Sequence, residues 1–127
     1  MNKAIATLAF IATIGSASAQ TWGDDILHPP EGAWVDALGG NDQIYGAGLN
    51  TIEGGPGHDY VKSGGESVVH VEQDGFIDAV DCQNGSIDHL WCDWYDVIAV
   101  DGNDWITLFM PDGSSVTMTG AQYMGVM

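Results

Sequence analysis

Gly54-Gly55-Pro56-Gly57-His58-Asp59-Tyr60-Val61-Lys62 is the stretch that decides how this chain folds. It follows the pattern G-G-x-G-x-D-x-U-x, with U a large aliphatic residue. Steps of eight to ten residues from Val61 reach Ile52, Ile44, Val35 and Leu27 on one side, and Val71, Val80, Leu90, Ile98 and Ile106 on the other. The position two before each rung is an independent column. On alternate rungs it reads Asp25, Asp42, Asp59, Asp78 and Asp96, an aspartate every time. On the other rungs it reads Ala33, Asn50, Val69, Asp88 and Asp104. Self-similarity at such a period marks a stacked-coil architecture.

The geometry follows. Each rung is a strand of about three residues, its aliphatic pointing inward and its neighbours outward. The Gly, Asn and Asp between rungs are turn formers. Two rungs and two turns make one coil, and successive coils stack as parallel strands roughly 4.8 Å apart. The predicted fold is all-β: a short parallel β-roll, or β-helix, of about five coils over residues 20–106. Trp105 to Met110 and Ser114 to Thr119 alternate around Pro111-Asp112-Gly113, which predicts a β-hairpin. With the tail, residues 107–127 would then cap the open strand edge of the roll.

Charge narrows the partners. The chain carries 18 Asp and Glu against Lys3 and Lys62, with no arginine, for a formal charge of −16. A basic nucleic-acid-binding face is excluded, as is attraction to an anionic membrane surface. Cations are the natural partners. Met1-Asn2-Lys3, an apolar run from Ala4 to Ile14, and Ala17-Ser18-Ala19 before Gln20 read as a secretory signal peptide over residues 1–19. Its apolar run is too short to cross a bilayer, and no later segment predicts a membrane span. The remaining chain is expected to be secreted or periplasmic, where calcium is plentiful and cysteines oxidise.

Stacked carboxylates repel. At 5 Å, two unit charges cost roughly 3 kcal/mol at an effective dielectric of 20. A hard divalent cation between turns relieves this, and Ca²⁺ takes six to eight oxygens in flexible geometry from carboxylates and from carbonyls that Gly-rich turns leave open. Mg²⁺, with its strict octahedron, suits such a site less.

Gly54 to Lys62, with Leu38-Gly39-Gly40-Asn41-Asp42-Gln43-Ile44 before it, resembles the nonapeptide of RTX-type (hemolysin-type) calcium-binding β-roll proteins. The resemblance covers Gly23 to about Ile106. It implies Ca²⁺ held between consecutive turns, each giving its Asp and backbone carbonyls. Asp42, Asp59 and Asp78 carry over first, then Asp25 and Asp96, with Gly40, Gly55 and Gly57 as metal-site residues whose backbone approaches the ion. About two to four ions are expected on this edge, with one more between Asp88 and Asp104.

Cys82 and Cys92 form an even pair in a chain read as secreted, which predicts a disulfide. The register sets them at opposite edges, so two buried thiols are the alternative. Trp91 and Trp105 point outward, either as a stacking platform for a polysaccharide or another secreted protein, or packed on the N-terminal segment or the hairpin. No nucleophile elbow or Ser-His-Asp arrangement is present. Carboxylate pairs are uninformative among so many acids, and His28, His58 and His89 occupy turn or outward positions. The chain therefore reads as a non-enzymatic calcium-binding β-roll, with a carbohydrate-binding module or polysaccharide-active protein using the exposed Trp as the alternative.

Overall fold

The alternation of inward aliphatic and outward polar residues builds eleven short strands, seen in a computed structural model that describes residues 21–72 and 74–126. They are β1 (Ile26–Leu27), β2 (Trp34–Asp36), β3 (Gln43–Tyr45), β4 (Thr51–Glu53), β5 (Tyr60–Lys62) and β6 (Val68–His70). After these come β7 (Ala79–Asp81), β8 (His89–Asp93), β9 (Val97–Ala99), β10 (Trp105–Phe109) and β11 (Ser115–Thr119), then one helix, α1 (Gly120–Val126). The signal-peptide reading of residues 1–19 lies outside the described residues.

The chain winds as a β-solenoid of about five turns. The odd-numbered strands up to β9 form a five-stranded sheet in the order β9-β7-β5-β3-β1. The others form a six-stranded sheet in the order β11-β10-β8-β6-β4-β2. All pairs are parallel except β10 with β11. In the first sheet Leu27, Ile44, Val61, Val80 and Ile98 align one above another. In the second the aligned residues are Val35, Ile52, Val69, Leu90 and Ile106. These two aliphatic columns form a single core, with Ile98 partly buried and the rest at most 3% exposed.

One rung differs from the expectation. Val69, not Val71, pairs with Ile52 and Leu90, so the residue two before the rung is Ser67. The extra length of that coil lies in the turn after β6 rather than before it. Val71 is still buried, packed just beyond the strand end.

The hairpin forms, but its first strand is also the last rung. β10 pairs in parallel with β8 and antiparallel with β11, so a boundary at residue 106/107 cuts through a strand. The helix was not expected. Thr119 and Gln122 exchange hydrogen bonds, Gln122 N–H donating to Thr119 Oγ1 (3.2 Å) and Thr119 N–H to Gln122 Oε1 (2.8 Å). This is a capping box, legible in Thr119-Gly120-Ala121-Gln122. Tyr123 of α1 packs against the core. No helix among the described residues is long and apolar enough to cross a membrane.

The predicted disulfide is absent. Cys82 and Cys92 are free, fully buried thiols. Cys82 follows the end of β7 and Cys92 lies near the end of β8, so half a coil separates them and they sit at opposite edges. Burial raises both thiols above their ordinary pKa, with nearby carboxylates adding to the effect.

Candidate metal centre

The turns into the five-stranded sheet bring Asp25, Asp42, Asp59, Asp78 and Asp96 into one column, as the spacing predicts. Their side chains turn inward: Asp42 and Asp78 are 1% exposed, Asp59 3% and Asp96 6%, while Asp25 is half-buried. Each carboxylate after that of Asp25 receives the backbone N–H of the aspartate one coil earlier. Asp25 N–H donates to Asp42 Oδ1 at 2.8 Å, Asp42 to Asp59 at 2.9 Å, Asp59 to Asp78 at 2.8 Å, and Asp78 to Asp96 at 2.9 Å. The ladder explains why an aspartate recurs at this position: a short acceptor is needed for an amide that the turn withdraws from the sheet.

Both ends of the column are closed. Thr21 donates its N–H and hydroxyl to the two oxygens of Asp25, and Asp93 N–H donates to Asp96 Oδ2 at 2.7 Å. The middle is open. The Oδ2 atoms of Asp42, Asp59 and Asp78 are buried with no hydrogen-bond partner, as are Asp74 Oδ2 and Glu72 Oε1. One carboxylate oxygen each from Asp59, Asp74 and Asp78 lies within 4.8 Å of the others.

Burial dominates the electrostatics. It lifts Asp42 to about 7 and Asp59 to about 8, against the lowering by the amides they receive. Side by side, Asp74 and Asp78 both rise, burial again the main cause. Asp96, which holds two amides, rises only to about 6. A row of buried anions with unused lone pairs must take up either protons or a cation. The open oxygens suit a cation: they are all-carboxylate, hard donors with no thiolate or imidazole among them, which favours the calcium and magnesium class of ion over zinc. The solenoid thus contains a buried acidic cluster able to hold a metal ion, centred on Asp59, Asp74 and Asp78.

The opposite edge is different. Asp88 and Asp104 are fully buried, and all four of their oxygens are engaged. Asp88 accepts from Ser67 N–H (2.8 Å), Ser63 Oγ (3.0 Å) and Asn84 Nδ2 (2.9 Å). Asp104 accepts from the N–H groups of Asp88 and Asp101, both at 2.8 Å. Asn50 and Ser67 continue this ladder, Asn50 N–H donating to Ser67 Oγ at 3.3 Å. The structure therefore does not join Asp88 and Asp104 to the open cluster.

The glycines act through spacing. Gly40, Gly55 and Gly57 have φ of 107°, 77° and 125°. A Cβ at Gly57 would fall on the carbonyl oxygen of Gly40, and one at Gly40 on that of Gly23. Their absent side chains let consecutive turns stack directly. Gly54 serves the cluster itself, since a Cβ there would lie 2.7 Å from Asp59 Oδ2.

The repeat did not assign Asp74 or Glu72. They enter in the turn between β6 and β7, the one that lengthens the Asp59–Asp78 step to 19 residues where Asp42–Asp59 takes 17. The departure from the period was the available signal. Trp91 and Trp105 lie on neighbouring strands of the six-stranded sheet, at outward positions of their strands. Compared with protein-family models, curated proteins and solved structures, the chain matches none.

Proposed function

We propose that this protein is a secreted, non-enzymatic calcium-binding β-roll of the RTX type, in which ion binding on the Asp42–Asp78 edge is coupled to folding. The observation that carries the reading is the set of buried, unpartnered Oδ2 atoms of Asp42, Asp59 and Asp78, with Asp74 converging on the last two. Calcium fits this donor set because it tolerates irregular oxygen geometry. The carboxylates of Asp42, Asp59, Asp74 and Asp78 would hold it, and its charge would offset the repulsion along the column. Each site adds about 2.7 kcal/mol of stability when free calcium is a hundredfold above its dissociation constant. Secretion rests on the Lys3 to Ala19 leader pattern.

Circular dichroism during calcium titration of the chelator-treated protein tests the reading. A cooperative gain of β signal and a rise in Tm with calcium, larger than with magnesium, are the expected results. A spectrum and Tm indifferent to chelator would overturn it.

A further inference from the structure

We propose that the outer face of the six-stranded sheet is a binding platform for an uncharged saccharide, centred on Trp91 and Trp105. Register places Trp105 beside His89, and Thr107 between Trp91 and Thr117. These residues and Leu90 border a groove of about 350 Å³. Trp105 is 44% exposed.

Trp91 is held in advance. Its indole stacks on the His70 ring at 4.3 Å and 5°, and His70 Nδ1 lies 3.3 Å from Glu72 Oε2. A clamped ring presents its remaining surface at little conformational cost on binding. Thr107 and Thr117 Oγ1 atoms, 2.9 Å apart, mark a hydroxyl pair beside it.

The chemistry of the groove selects the occupant. Indole faces match the C–H face of a sugar ring, while hydroxyls and an imidazole match its rim. In a chain with 18 acidic residues, the groove is lined by neither a carboxylate nor a lysine. The acidic surroundings repel anionic glycans and phosphates. A Lys or Arg side chain would find indole faces there but no carboxylate, whereas a neutral glycan uses the indoles, the hydroxyls and the imidazole together.

The test runs in millimolar calcium, with the fold checked by circular dichroism. Arrayed cello-, manno- and chito-oligosaccharides serve as neutral probes and polygalacturonate as the anionic one, with binding read by tryptophan fluorescence. At least one neutral series should give a saturable change. Trp105→Ala should weaken it at least tenfold, Trp105→Phe by much less, and polygalacturonate should give none. The proposal is overturned if no neutral series saturates, if folded Trp105→Ala binds as well as the parent, or if only polygalacturonate binds. A dimer dissolved by Trp105→Ala in sedimentation would overturn it too, making the face an interface between copies.

Discussion

The amide of Asp59 donates to Oδ1 of Asp78 across one coil at 2.8 Å, while the other oxygen of Asp78 is buried without a partner. One carboxylate thus serves two ends: half of it holds adjacent coils together and half is left for a ligand. Changes that spare the first half and alter the second separate the two.

Asp78→Asn keeps an oxygen to receive the Asp59 amide and removes the charge. Calcium affinity is expected to fall at least tenfold, while the calcium-free fold becomes more stable at pH 8, since folding no longer has to protonate this carboxyl or bury its charge. Melting curves in calcium and in chelator check both signs; a loss of stability in both conditions would count against the division.

The response to pH follows from the raised carboxyls. Asp96 and Asp88 titrate at about 6, Asp42 at about 7 and Asp59 at about 8, against 3.8 unperturbed. Between these limits the folded state binds more protons than the unfolded one. The resulting stabilisation of the calcium-free fold is fully present below about pH 4 and lost as pH rises through 6 to 8. Calcium affinity should run the other way, with protons released on binding. Urea midpoints in chelator at pH 5 and pH 9 decide the sign.

Asp104→Ala tests the closed edge. It strips the acceptor from two buried amides, those of Asp88 and Asp101, at about 1–3 kcal/mol each. Stability should fall by the same amount in calcium and in chelator, leaving the gain in stability that calcium brings unchanged. A smaller gain would bring this edge into the metal site.

Two glycines with positive φ, Gly57 at 125° and Gly75 at 79°, should differ in their tolerance of alanine. Gly57→Ala sets a methyl on the Gly40 carbonyl and should prevent the coils from stacking, whereas the Cβ of Gly75→Ala meets open space. The latter keeps only the strain of its positive φ, about 1–2 kcal/mol. Denaturant unfolding of the two variants measures the gap.

The solenoid and its aspartate column could be read from the sequence because each coil repeats a short physical rule: an inward aliphatic, a turn, an acceptor. Where the rule bends, legibility ends. Val71 and Val69 are both aliphatic and both buried, so periodicity alone could not choose the rung, and Ser67 was missed with it. Asp74 lies outside the period, and only the folded turn after β6 brings it to Asp59 and Asp78. The cysteines show the reverse case. Their register already placed them apart, and that geometry outweighs the inference from an even number of thiols.

A roll made only of parallel rungs has no intrinsic length, since its last strand offers the same template as its first. β11 runs against the others, and α1 follows it at once, so on this sheet the run of parallel rungs stops at β10. The reversal of one strand thus sets how many rungs this sheet stacks in parallel, a limit that the repeat itself does not contain.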